Sequence, residues 1–379
     1  MVPLGRQARR RPELSGGLRA GGRSPEPDGR RAMRLALQLL GVVVAVLLTG
    51  AMLGTAGWTH PPVRSEQVGY RGTGMVQVTN PRTQAALLAA NTVPTPQDPA
   101  PPGGEPATQT YQNVQVLTDL TTDQFNRVMV SITEWVSPEQ GCAYCHNVEN
   151  MADDSVYAKT VARAMLRMTR HVNADWKNHV GTTGVTCYTC HRGNPVPANV
   201  WHNNPGPAHA LGFAARDNGQ NHPSLAAGLA SLPYDPFKDL LGDKGIDNGA
   251  IRVAATTALP VSPGKPIMTT EKTYSLMIHM SEGLGVNCTY CHNSRAFSNW
   301  GESTPKRVTA WHGIRMVRDI NGSYIEPLAP ALPQVRLGPE GDPPKANCTT
   351  CHQGLAKPLN GASMLKDYPE LAGGPLPRP

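Results

Sequence analysis

All eight cysteines of the chain fall in four copies of one pattern, Cys-x-x-Cys-His: Cys142-Cys145-His146, Cys187-Cys190-His191, Cys288-Cys291-His292 and Cys348-Cys351-His352. Two thiols at this spacing with an imidazole directly behind them form the attachment signal of a c-type haem. The thiols add across the vinyl groups of the porphyrin, and the tethered histidine is set under the ring as proximal iron ligand. Zinc ribbons also pair Cys-x-x-Cys, but they need no histidine behind every pair. A disulfide framework scatters its cysteines instead of confining all of them to tight pairs. The fold must therefore wrap four covalently attached haem c groups, and four haems on one polypeptide imply electron transfer.

Few other sources of core are available. Charged residues make up 17% of the 379, whereas glycine (38) and proline (36) are abundant, so much of the chain is expected as loop. Haem burial then supplies part of the apolar interior.

From Leu35 to Ala56 runs an uncharged stretch, LALQLLGVVVAVLLTGAMLGTA. At ~1.5 Å per residue it is long enough to cross a ~30 Å hydrocarbon layer. The arm before it holds nine arginines against Glu13, Glu26 and Asp28, six of the chain's seven net positive charges. The positive-inside rule keeps such an arm cytoplasmic and puts the haem domain in the periplasm. A cleaved signal peptide is the rival reading, although the run exceeds a usual signal core. With the arm set aside, the exported part is near neutral, and the haem propionates make it acidic, so the basic balance does not point to nucleic acid.

The remaining order reads as a basic arm (1–34), a transmembrane helix (35–56), an extended linker (57–110), a first two-haem module (111–200), a connector (201–263), a second two-haem module (264–361) and a tail (362–379). The two modules resemble each other. GCAYCHN matches NCTYCHN, VTCYTCHRG matches ANCTTCHQG, and RMTRHVN matches RMVRDIN. The expected fold is mainly α with extensive loops, a multihaem cytochrome c of two pseudo-repeated two-haem modules plus one N-terminal transmembrane helix.

Each site follows a helix-like segment. Thr121 and Gln124 read as a capping box ahead of Phe125, Val128, Met129, Ile132, Trp135 and Val136, with Pro138 as the stop. Asp154/Ser155 signal a cap before Tyr157, Val161, Met165, Met168 and Val172. Thr270 is expected to cap the third segment and Gly283 to end it. Thr304-Pro305 opens the fourth and Gly322 closes it.

A low-spin carrier haem needs a second axial ligand, which a helix lying along the porphyrin can supply as methionine sulfur. Met129 is the choice at the first site. Met165 and Met168 compete at the second, and Met277 has His279 and Met280 as rivals at the third. Alignment of the repeats puts Met165 opposite Gly313, so the fourth site lacks this donor. The spare histidines are His171, His179, His202, His209, His222, His279 and His312.

These residues resemble the tetrahaem cytochrome subunit of purple-bacterial photosynthetic reaction centres, through YQNVQVL, ITEWVSPEQGCAYCH, VARAMLRMTR, HVGTTGVTCYTCHRGNP, TYSLMIHMSEGLGVNCTYCHN, STPKR, WHGIRMVRDIN and CTTCHQGLAKPLNGAS. The resemblance covers roughly residues 111–373. It implies Met129, Met165 and Met277 as distal ligands at the first three sites and His179 as distal ligand at the fourth, opposite the proximal His146, His191, His292 and His352. It also implies Arg307, in STPKR, as a charge that raises the potential at the third site. Many members of that family carry a lipid-anchoring cysteine, where this chain has the apolar stretch.

The resemblance further implies an electron carrier and not an enzyme. It docks on the reaction-centre core subunits in the inner photosynthetic membrane and re-reduces the photo-oxidised bacteriochlorophyll special pair. A soluble cytochrome c or high-potential iron–sulfur protein is the implied donor, and a light-harvesting antenna a further neighbour. The sites would follow the order first, second, fourth, third toward the pair. Glu149, Asp153 and Asp154 are candidates for steering a cationic donor. The nearest rival is a membrane-anchored tetrahaem quinol dehydrogenase, to which the long helix-bearing spacers are a poor match.

Overall fold

The computed structural model describes residues 28–55, 63–69, 75–203, 236–242 and 267–373, with positions 227 and 232 between them. The chain forms two compact units, Met1–His60 and Pro61–Pro379. In the first, helix α1 (Asp28–Thr55) extends seven residues N-terminal to the expected span. Within its stretch Gly29–Thr55 an 18-residue window has mean hydropathy 2.3 and buries nothing against protein, so by length and composition the helix can cross a membrane.

The second unit is mostly helix and loop. After a two-stranded antiparallel hairpin, β1 (Arg64–Gln67) with β2 (Val76–Thr79), come α2 (Pro81–Ala90), α3 (Thr122–Val136), α4 (Tyr157–Asp175), α5 (Ile267–Leu284) and α6 (Pro305–Ile320). The segment read as a linker, 57–110, thus carries a hairpin and a helix. Its strand β2 is fastened to the third attachment turn: Asn287 Nδ2 and Thr289 Oγ1 donate to Val76 O at 2.7 and 2.6 Å, and Asn287 N donates to Gln77 Oε1 at 3.0 Å. Val76 and Val78 alternate with Gln77 and Thr79, but Gln77 is the buried residue and Val78 is exposed, so the apolar alternation does not mark the packed face.

Helix α3 forms as its sequence dictates. Thr121 Oγ1 accepts from Gln124 N at 3.3 Å and Gln124 Oε1 accepts from Thr121 N at 3.0 Å, completing the capping box. Its apolar stripe builds the first core cluster, with Val128 and Trp135 buried against Leu117, Leu359 and Tyr368, and with Met129 half-buried beside them. The caps of α4 and α5 differ from expectation. Val156 precedes α4 with no side-chain cap, because Asp154 is drawn to Lys159 and Arg163 at 3.0 and 2.9 Å. Helix α5 starts at Ile267, three residues before Thr270, and runs past Gly283 to Leu284. At Gly283 a Cβ would lie 2.7 Å from Thr349 Oγ1, and at Gly285 (φ +63°) 2.1 Å from Gly354 O, so this end of α5 crosses the fourth attachment turn backbone to backbone. Thr304 and Pro305 open α6 as expected. It leaves α-helical geometry at Ile320, two residues before Gly322, and continues into a wider turn over Asn321–Ile325.

The aligned segments RMTRHVN and RMVRDIN end α4 and α6, and these ends pack together through Val172, Met316 and Ile320. Each contributes an asparagine that clamps the segment leading into its own motif. Asn173 accepts from Val185 N at 2.7 Å and donates to Val185 O at 2.9 Å. Asn321 does the same to Ala346, accepting from its N at 2.9 Å and donating to its O at 3.0 Å. Asn321 is fully buried and also donates to Leu241 O at 2.8 Å. Asn321→Ala leaves buried backbone groups unpaired and is expected to cost about 2–3 kcal/mol in chemical denaturation; a loss under ~0.5 kcal/mol would show that the clamp carries no load.

Candidate haem-binding sites

The four attachment turns come in two kinds that alternate along the chain. At the first and third, Gly141–Tyr144 and Cys288–Tyr290 are 3₁₀ turns. In both, the histidine Nδ1 reaches a carbonyl five residues on, His146 to Met151 O at 3.1 Å and His292 to Phe297 O at 2.9 Å. At the second and fourth, Cys187–His191 and Cys348–His352 are single α-helical turns capped by Thr186 with Thr189 and by Asn347 with Thr350. Here Nδ1 reaches a carbonyl three residues on, His191 to Asn194 O at 2.8 Å and His352 to Leu355 O at 2.9 Å.

The chemical consequence is common to all four. A carbonyl can only accept, so each Nδ1 carries the proton and each Nε2 presents a lone pair, the tautomer an iron ligand requires. Burial also favours the neutral imidazole at three of them: it lowers the pKa of His191 and His292, and burial together with the neighbouring His179 takes His352 down to about 4. Burial pushes Cys145 and Cys291 up to about 11 and Cys187 and Cys348 up to about 12, whereas the hydrogen bond from Cys190 lowers Cys351. Among the described residues no three His, Cys, Asp or Glu side chains converge to hold a metal ion, as a zinc ribbon would need.

The second and fourth sites open onto cavities. One of ≈ 190 Å³ has Cys187, Cys190, His191 and Met165 in its wall, with Met168 and Met316 also present. Its lining is otherwise nearly all apolar, including Val161, Pro197, Leu328 and Leu332. The other, of ≈ 370 Å³, is lined by Cys348, Cys351, His352 and His179. His179 stands opposite His352 with ring centroids 6.0 Å apart, and its Nδ1 is held by Thr309 O at 3.0 Å. An imidazole nitrogen binds a metal at about 2.0–2.1 Å, so this spacing is close to what two facing rings need to share one atom. The residues present fit the group.

Gly313 explains how His179 gets there. A Cβ on Gly313 would lie 2.5 Å from His179 Cε1 and 2.8 Å from Nδ1. Where α4 carries Met165, α6 carries no side chain, and the imidazole fills that space. Of the other spare histidines, His171 uses both nitrogens on carboxylates, Asp175 at 2.8 Å and Asp319 at 2.6 Å. His202 packs on Gly338, His279 meets the Phe237 ring edge at 4.6 Å and His312 meets Trp311 at 4.9 Å. His209 and His222 lie outside the described residues.

At the first site Met129 sits on the inner face of α3, the helix that leads into the attachment turn. At the third, Met277 and Met280 are both half-buried on the cluster of Leu276, Ile314 and Val317, and Met280 alone of the two reaches the fourth-site cavity. Arg307 donates to Asn299 O and Ser303 Oγ at 3.0 and 2.8 Å and lies 4.1 Å over the Trp300 ring. Its charge partly offsets the burial that raises Cys291 and adds to the burial that lowers His292. Of the acids after the first motif, Asp153 is used by Ser155 and Asn147 and Asp154 by Arg163, Lys159 and Asn113, so both stitch the loop; Glu149 is exposed.

A family profile described as "Photosynthetic reaction centre cytochrome C subunit" matches residues 59–372. The chain is 50% identical over 344 residues to the photosynthetic reaction center cytochrome c subunit of Rubrivivax gelatinosus, covering 90% of this chain and 92% of that one. It is 48% identical to the protein of that name from Thermochromatium tepidum, covering 90% and 81%, and 40% identical to that of Roseobacter denitrificans, covering 88% and 92%.

Proposed function

The chain belongs to the photosynthetic reaction centre cytochrome c subunits, and from that membership we propose that it carries four haems in two duplicated two-haem modules and re-reduces the special pair from a soluble periplasmic donor. As a member it is an electron carrier with covalently bound haem c, not an enzyme, and it associates with the reaction centre in the membrane. When bound, each haem supplies an iron that alternates between ferric and ferrous states.

One observation carries the reading: the attachment motifs are neighbours in the order first, second, fourth, third. The second-site cavity also has Tyr144 and Cys145 of the first motif in its wall, and Cys351 of the fourth. The fourth-site cavity is also lined by Tyr290 and Cys291 of the third. At the middle of the row Cys190 Sγ and Cys351 Sγ are only 2.7 Å apart. This is the sequence of carriers the family pattern implies.

The protein's part is to fix ligands and set potentials. Met129 with His146, Met165 with His191 and Met277 with His292 would hold the haems of the first three sites, and His179 with His352 that of the fourth. Duplication is supported by the alternating attachment turns and by the asparagine clamp used twice. The near-apolar lining of the second-site cavity gives a charge change there a low-dielectric surrounding. The span α1, with its arginine arm, anchors the haem domain on the periplasmic side. A soluble cytochrome c or high-potential iron–sulfur protein meets the first-site end, and an antenna lies around the reaction centre.

Haem quantification and low-temperature electron paramagnetic resonance test the assignment together. Four haems per chain, three with His/Met and one with His/His signals, are expected; two or more His/His signals would contradict it. Arg307→Gln removes a half-buried positive charge beside the third motif and is expected to lower that site's midpoint by about 60 mV, a tenfold change for one electron. An unchanged third midpoint in redox titration would remove Arg307 from the tuning role.

A further inference from the structure

The aligned ends of α4 and α6 touch at equivalent positions. RMTRHVN set on RMVRDIN pairs His171 with Asp319, and the same alignment runs on to pair Asp175 with Ser323 and Trp176 with Tyr324. Within each module the residue four places on bonds back to the first: Asp175 Oδ2 meets His171 Nδ1 at 2.8 Å, and Ser323 Oγ donates to Asp319 Oδ1 at 2.7 Å. Between the modules the equivalent residues cross over. His171 Nε2 meets Asp319 Oδ2 at 2.6 Å, Trp176 Nε1 donates to Asp319 Oδ2 at 2.9 Å, and the Tyr324 ring lies 5.6 Å from the His171 ring. A contact between two identical copies sets like against like. Here one copy holds a base and the other an acid.

His171 is buried, and carboxylates only accept, so its ring fills both contacts only as the imidazolium. Burial opposes the charge on Asp319, but the hydrogen bonds from His171, Ser323 and Trp176 hold its carboxyl below the ordinary value. A buried ion pair adds little net stability over an apolar pair of the same size; its attested use is to select one arrangement. The arrangement selected here is the seat of His179. Trp176 O accepts from His179 N at 2.8 Å and from Val180 N at 3.0 Å, which forms the single turn Lys177–Val180 that carries the imidazole. Trp176 and Val180 also pack on the α4–α6 contact of Val172, Met316 and Ile320. Asp319 belongs to α6, the helix whose Gly313 leaves the space that His179 fills. We infer that His171 and Asp319 are positioning residues for the fourth site: their pair pins α4 to α6 at the equivalent points of the two modules and, through Trp176, holds His179 in place. The inference rests on the reading of His179 as distal ligand of the fourth haem.

A looser seat leaves the fourth iron without its distal ligand for a larger fraction of the time, and an outside ligand binds in proportion to that fraction. Carbon monoxide is neutral, so it reports the opening and not the local charge. Asp319→Asn and His171→Gln remove opposite charges, so an effect of charge alone would move the fourth midpoint in opposite directions. An effect on position opens the site in both. In the reduced, fully loaded, membrane-bound chain each variant is expected to raise the carbon monoxide affinity of the His/His site about tenfold, because each breaks a buried hydrogen bond between charged groups. The other three sites should bind no more than in the wild type. A rise in neither variant, or in one only, overturns the inference, even where both variants unfold at a lower temperature, since a merely structural pair would do that alone. Absence of a His/His signal from the wild type overturns the reading of His179 itself. Should both variants fail to load their haems, Trp176→Phe, which removes only the Nε1 donor to Asp319, decides: a raised affinity supports the inference and an unchanged one overturns it.

Discussion

Replacing Gly313 by alanine is expected to strip the fourth site of its distal histidine while the other three sites keep their ligands. The added Cβ would sit 2.5, 2.8 and 3.1 Å from three atoms of the His179 ring. A ring cannot bend away as a long chain does, and this one is pinned on its far side by Thr309 O. Either α6 shifts, against the packing of Ile314, Met316 and Val317, or the imidazole leaves. Overpacking a core usually costs about 1–3 kcal/mol, less than repacking the α4–α6 contact, so the imidazole is expected to yield. The His/His signal should vanish and a high-spin signal of equal intensity replace it. Gly313→Met, which restores the repeat, is expected to offer sulfur in its place and raise that site's midpoint. A retained His/His signal in both variants would show that His179 is not the group Gly313 makes room for.

The second large effect concerns stability. Arg127 on α3 is 8% exposed and spends every donor on the C-terminal segment and on Gln97 and Asp98 of the linker. Its Nε donates to Asp98 O at 2.7 Å, and Nη2 donates to Gln97 O and Asp367 O at 2.9 and 2.7 Å. Nη1 meets buried Glu370 at 3.3 Å, and the guanidinium lies 4.1 Å over the Tyr368 ring. Tyr368 in turn stands edge-on to Trp135 at 4.6 Å, in the cluster that backs Met129. Arg127→Ala leaves a buried carboxylate and three carbonyls unpaired, an expected loss of about 3–5 kcal/mol. The double variant Arg127→Met with Glu370→Leu removes both charges and should recover most of it. Thermal unfolding of both variants checks this; equal destabilisation by the two would mean that packing, not the unpaired charge, is the cause.

Much of this was readable in the residues because the signals are local. A capping box needs only Thr121 and Gln124, and a proline at the start of α6 needs only its neighbour. The spacing of the four motifs marks them as haem attachment signals, and the mismatch of Met165 with Gly313 sets the fourth motif apart from the second. Arg127 gave no such signal, since its acceptors lie up to 243 residues away. Nor did the carbonyls that orient the histidines, because every residue has one. Asp154 reads as a helix cap; two cations within one turn of α4, Lys159 and Arg163, claim it instead. The reach of 57–110 onto the third motif was hidden for the same reason, as Val76 O is a backbone atom.

Illumination of membranes poised with the haems reduced tests the central claim most directly, by following the special-pair bleaching and the haem α-band after a single flash. The account predicts that haem oxidation appears with the same time constant and stoichiometry as recovery of the pair. Recovery of the pair with every haem still reduced would contradict it.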